Sequence, residues 1–276
     1  MNLKEIEKVV ASIQSQLFRN SNSFSVGMLK SHFKGAGLHF KEHQVYNPGD
    51  DVRFIDWNMS AKTNTTFIKT FEEERNVEIY AYLDISETMF MGYKGVSKLQ
   101  AAIEIICLLY LLADRSKDKV GAIIQLDTAV RLPLASGQEG IIILISHLEK
   151  LRILNSEGKV DITFEGNYQA DEKKKMALLK SLIAKGKEVV LLTDFGRLQD
   201  REQLEKLLYR TNMHCFKVES PLDNSKKMPF VIYGKNRKDK VLSRLYSDVR
   251  EGDFKGRYKK INVEERYLEK FIREML

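Results

Sequence analysis

Asp84, Ser86 and Thr88 stand at alternate positions directly after the apolar run Val77–Leu83. A carboxylate and two hydroxyls at that spacing form a set of hard oxygen donors, the kind that suits Mg²⁺ or Mn²⁺. A second carboxylate, Asp194, follows another apolar run, Glu188–Thr193. If the two runs are neighbouring strands, Asp84, Ser86, Thr88 and Asp194 converge above their carboxyl ends, where open α/β sheets bind ligands. Two carboxylates with hydroxyls, completed by waters, make a six-coordinate oxygen site of moderate charge. A further hydroxyl from a loop is expected, and Thr163 in Val160–Phe164 is the best placed candidate. The same residues also read as plain polar turns after strands, with Thr163 an ordinary strand threonine, and spacing leaves both readings open.

The elements that must hold these residues follow from periodicity. Strands are expected over Val77–Leu83, Val120–Leu126, Ala129–Leu134, Glu188–Thr193 and Met213–Val218. Helices are expected over Val96–Arg115, Gly140–Arg152, Lys173–Lys185 and Asp200–Tyr209. Such βα alternation predicts an α/β fold, with a mainly parallel sheet and helices on both faces. Before it, residues 3–18 carry apolar positions at helical spacing, and residues 35–76 hold short β-leaning pieces around a turn at Pro48–Gly49. Three regions result. Residues 1–76 form a helix and a small β-rich element, 77–220 the main α/β domain, and 221–276 further strands and a charged helix packed on the core.

Composition narrows the function classes. The chain has 276 residues, 43% hydrophobic and 30% charged, enough for one large core. Its net charge of +7 comes from scattered lysines whose densest runs, such as Lys173–Lys175 and Lys255–Lys260, are short enough to be solvated faces. No nucleic-acid motif accompanies them, so a nucleic-acid partner is not expected. Cys107 and Cys215 lie inside apolar runs and read as core residues, not a disulfide or metal site. The longest apolar stretch, 101–113, contains Glu104 and falls short of the ~20 residues that span a bilayer. A cytoplasmic protein is expected.

Asp84-x-Ser86-x-Thr88 with Thr193-Asp194 resembles the metal-ion-dependent adhesion site of von Willebrand factor A domains. The usual pattern there is Asp-x-Ser-x-Ser, with a threonine in a second loop and an aspartate in a third. Upstream, Tyr46–Trp57, Ser60–Lys62 and Phe71–Arg75 resemble the signature of the bacterial family called domain of unknown function 58. That match runs from about Val45 to Met89, and Leu192–Phe195 fits it further on. The resemblance implies a von Willebrand A-like (Rossmann-like) sheet used for non-enzymatic, metal-dependent protein binding. It implies a MoxR-type AAA+ ATPase as partner, with a partner's acidic side chain completing the coordination of the metal. In the signature itself, Asp50, Asp51, Arg53 and Asp56 are expected to form one ion-pair network, with Trp57 as hydrophobic anchor.

Enzymes are the rival class. Haloacid-dehalogenase-like, Mg-dependent phosphohydrolases place Asp-x-Asp-x-Thr after their first strand. Here the second position is Ser86, so the general acid of that chemistry is missing. Ser86 lacks the flanking glycines of a nucleophile elbow, and Gly92–Lys98 lacks P-loop spacing.

Overall fold

Runs of β-branched and aromatic residues set the strands of this chain, and side-chain caps from Ser97, Asp171 and Asp200 set where three of its helices begin. The computed structural model describes residues 38–47, 50–63, 65–73, 77–168, 170–196, 198, 200–223, 233–235, 242–244 and 256–275. The helix expected over residues 3–18 and the Pro48–Gly49 turn lie outside them. The chain divides into two units, residues 33–77 and the remainder.

In the smaller unit, β1 (Leu38–Val45) and β2 (Phe67–Glu73) pair antiparallel, with a register shift between Phe40 and Glu42. Between them lie a 3₁₀ turn, Val52–Phe54, and a short helix, α1 (Trp57–Thr63). Asp56 ties these pieces together. Its Oδ1 accepts the backbone N–H groups of Asn58 and Met59, both at 3.1 Å. Its Oδ2 meets His43 Nε2 at 2.9 Å and Lys69 Nζ at 3.2 Å. The expected single ion-pair network is therefore split: Arg53 pairs with Asp51 at 2.6 Å, and Asp50 accepts the Asn47 N–H. Trp57 is no anchor either, being 71% exposed. It is the first residue of α1 and follows the Asp56 cap.

The Met59 N–H, then His43 and Lys69, hold the Asp56 carboxyl well below its ordinary value of 3.8. A carboxyl depressed by folding contributes stability that is complete above 3.8 and is lost as pH falls through the depressed value. Asp56→Asn is therefore expected to destabilise this unit at pH 7, with the deficit vanishing in strong acid. Urea titrations read by the emission of Trp57, the sole tryptophan, at neutral pH and in acid strong enough to protonate the folded-state carboxyl check this. An equal deficit at both would refute it.

The larger unit runs β3 (Glu78–Asp84), β4 (Gly92–Tyr93), β5 (Val96–Ser97), α2 (Lys98–Ser116), β6 (Lys119–Gln125), β7 (Ala129–Arg131) and α3 (Gly137–Lys150). It continues with α4 (Glu172–Ala184), β8 (Glu188–Thr193), α5 (Arg201–Leu208), β9 (Met213–Glu219), the hairpin β10 (Tyr233–Lys235) and β11 (Leu242–Arg244), β12 (Tyr258–Asn262) and α6 (Tyr267–Met275). Six strands form one sheet in the order β12-β9-β8-β3-β6-β7, all parallel except the β6–β7 pair. The mixed α/β expectation with a mostly parallel sheet holds. One strand was hidden: β12 lies in the lysine-rich run expected to be a solvated face, and it joins β9 in the same sheet. Its Lys259 and Lys260 are exposed on this edge strand, where charge blocks unwanted pairing.

Alternation sends helices to both faces. Val189, Leu191 and Cys215 pack with Met176, Leu179 and Leu204 of α4 and α5. The next residue in β9, Phe216, points the other way and meets Phe271 of α6, ring centroids 4.8 Å apart. α2 is buried on nearly every side, which fits its continuous apolar sequence. Ser97 caps its start by accepting the Gln100 N–H, and Lys117, in the left-handed region at φ 63°, ends it. α3 comes so close that a Cβ on Gly140 would lie 2.0 Å from the Tyr110 ring. Among the described residues, no helix is long and apolar enough to cross a membrane.

Candidate functional site

β3 and β8 are neighbours, paired in register with Leu83 opposite Leu192. That register sets Asp84 beside Thr193 at the carboxyl edge of the sheet. The Thr193 hydroxyl donates to Asp84 Oδ2 at 3.1 Å. One residue on, Asp194 Oδ1 accepts from Ser86 Oγ at 2.9 Å and Oδ2 accepts from Thr88 Oγ1 at 2.5 Å. Asp84, Ser86, Thr88 and Asp194 thus come together as their spacing predicts. Asp84, Ser86 and Asp194 are buried and Thr88 is half-buried.

The loop after β8 is shaped for this contact. Phe195 sits in the left-handed region at φ 62°, unusual for a bulky residue and a strain of the sort found at functional sites. Its N–H bonds to Thr193 Oγ1, and the Gly196 N–H to Asp194 Oδ1, both at 2.9 Å.

The fifth candidate stands apart. Thr163 is exposed, and its hydroxyl and N–H both donate to Asp161 Oδ1, at 2.6 and 2.8 Å. Its loop does border the site: Phe164 stacks on Phe90, two residues after Thr88, with centroids 5.5 Å apart. Next to Thr163 on the same loop, Ile162 is 67% exposed.

Two lysines that spacing did not single out complete the cluster. Lys175 Nζ lies 2.8 Å from Asp84 Oδ1, and Lys98 Nζ lies 2.9 Å from both Asp194 Oδ2 and Asp223 Oδ1. Their side chains are 3% and 1% exposed. Asp223 is fixed in turn by the Ser220 N–H and hydroxyl. Lys175 belonged to a run expected to be solvated, and the correction has a visible cause. It shares a helix face with Leu179 and Leu182, four and seven positions on, both buried in the core. Lys98 is the first residue of α2, directly after the Ser97 cap.

Burial pushes the Asp84 carboxyl up, and Lys175 only partly offsets it. Burial acts on Asp194 in the same direction, but Lys98, Thr88 and the Gly196 N–H prevail and hold it below the ordinary carboxylate range. For Lys98, burial opposes the charged form, and Asp194 with Asp223 outweighs it, so the ammonium stays charged.

These residues as they stand do not fit a resident Mg²⁺ or Mn²⁺. An ion of that kind sits about 2.0–2.1 Å from carboxylate oxygens with octahedral geometry, on the very atoms the ammonium groups hold. A unit charge repels another by about 4 kcal/mol at 4 Å and an effective dielectric of about 20, and a divalent ion doubles that.

The chain belongs to the family described as protein of unknown function DUF58, which matches residues 42–231. It is similar to the uncharacterized protein Rv1480 of Mycobacterium tuberculosis and to Mb1516 of Mycobacterium bovis, each 27% identical over 106 residues, or 38% of this chain. The match spans a third (33%) of the length of those relatives. Among solved structures it is similar to BatB from Bacteroides thetaiotaomicron (17% identity, TM-score 0.42, 72% of this chain and 97% of that one). It is also similar to an aerotolerance-related membrane protein from Bacteroides fragilis (16% identity, TM-score 0.42, 72% and 98%).

Proposed function

We propose that this chain is a non-enzymatic protein-binding protein with a von Willebrand A-like domain. The carboxyl edge of its sheet receives the partner, and a MoxR-type AAA+ ATPase in the cytoplasm is the partner the family signature implies. The carrying observation is the network of Asp84, Ser86, Thr88 and Asp194 at the carboxyl edge of the sheet, bordered by the loop on which Ile162 is exposed. Hydroxyls donated to a carboxylate that is itself held by an ammonium make a rigid floor for docking, not an activated nucleophile. His214 pairs with Glu188 at the opposite, amino end of β8, far from the hydroxyls along the strand. Ser86 occupies the place where a phosphohydrolase of the haloacid-dehalogenase kind needs its acid.

The reading is tested by capture of the purified ATPase on immobilised chain. Thr88→Val and Ile162→Ser are expected to lose capture at least ~10-fold, about 1.4 kcal/mol, while Lys119→Ala, at the exposed start of β6, retains it. Undiminished capture by both variants sinks the assignment of this surface.

A further inference from the structure

We propose that Lys98 and Lys175 are the resident cations of this cleft, so that the chain folds and forms its docking floor with no divalent metal ion. The inference rests on the binding reading only for the use of the surface. Two buried aspartates lie at the ends of neighbouring strands, an arrangement that needs positive charge from somewhere. In an oxygen-only metal site an ion brings it. Here the chain brings it covalently, one ammonium for each aspartate, Lys175 on Asp84 and Lys98 on Asp194.

Both lysines are built in and not adventitious. Lys175 is carried inward by the apolar face it shares with Leu179 and Leu182, whereas its neighbours Lys173 and Lys174 are exposed. Lys98 is clamped between Asp194 and Asp223, and Asp223 is anchored by Ser220 through its other oxygen. The hydroxyls agree with this arrangement. Ser86 and Thr88 donate to Asp194 alongside Lys98, so groups of the chain itself satisfy this carboxylate. Three carboxylates face two ammonium groups. Adding a divalent ion would set that ion against both lysines.

The test uses the full chain, stripped with chelator and titrated with Mn²⁺ by electron paramagnetic resonance, alongside melting in chelator and in Mg²⁺. The wild type is expected to show no saturable Mn²⁺ binding and one melting temperature in both buffers. Lys175→Met removes the cation from Asp84 and leaves the oxygen set, so it is expected to bind Mn²⁺ at least ~10-fold more tightly than wild type and to melt higher with metal. Saturable Mn²⁺ binding by the wild type, with a higher melting temperature in Mg²⁺, overturns the proposal. So does a folded Lys175→Met chain with no gain in affinity. Should that variant not fold, the wild-type titration alone decides. Neither measurement reads partner capture, so a flat metal titration together with failed capture refutes the binding reading and leaves this one standing.

Discussion

Replacing Lys98 by methionine is expected to lower the melting temperature by roughly 10 °C, the largest effect of any single substitution at the site. Removing one partner of a buried pair costs about 3–5 kcal/mol, because the surviving charge stays buried without compensation. A unit of this size loses about 2–4 °C per kcal/mol. Lys98 is the extreme case because its ammonium serves two carboxylates and is 1% exposed. Methionine fills much the same volume, so the loss reports charge and not a cavity. Asp223 keeps 24% of its side chain in solvent and can rehydrate, whereas Asp194 keeps 4% and cannot. The double variant Lys98→Met with Asp194→Asn should therefore recover a large part of the loss. Thermal melts of the two singles and the double complete the cycle. A shift of a degree or less in Lys98→Met would mean that the ammonium is not what holds Asp194.

The same two lysines mark the border of what was legible in the chain. Asp84, Ser86, Thr88 and Asp194 could be placed together because each follows an apolar run, and parallel strands bring such ends to one edge. That inference needs only periodicity and topology. Lys175 carried a signal of its own, a charge on the buried stripe of an amphipathic helix, but a run of three lysines masked it. Lys98 carried less, since the first turn of a helix tolerates polar residues whether buried or not. Thr193 was visible only as the residue before Asp194; its bond to Asp84 follows from strand register, which no local pattern encodes. β12 was missed for a different reason. An edge strand needs one buried residue and otherwise charge, and Ile261 among lysines does not announce a strand. Trp57 erred in the opposite sense. Size and hydrophobicity argue for burial, yet Trp57 opens a helix of seven residues, none of them buried, and stays exposed.

Gly196→Ala is the second substitution with a large expected effect, acting on function more than on stability. The Cβ it adds would lie 2.7 Å from Thr88 Oγ1, 3.0 Å from Asp194 Oδ1 and 3.2 Å from Ser86 Oγ. Real contacts do not go as close as the first of these, so the Thr88 hydroxyl must move, and its bond to Asp194 goes with it. Overpacking of this kind costs about 1–3 kcal/mol, which a chain with an intact sheet and α2 can absorb. The docking floor cannot, because three of its four residues touch the new methyl group. Capture of the ATPase is expected to fall below detection while the far-ultraviolet circular dichroism is unchanged. Gly186, two residues before β8, supplies the comparison. It has φ +68° and open space around it, so Gly186→Ala pays backbone strain alone, about 1–2 kcal/mol, at the opposite end of the strand. If stability were what capture reads, the two alanine variants would lose it in proportion to their melting temperatures. If the geometry around Asp194 is what the partner requires, Gly186→Ala keeps capture and Gly196→Ala abolishes it, and equal retention by both removes the floor from the mechanism of binding.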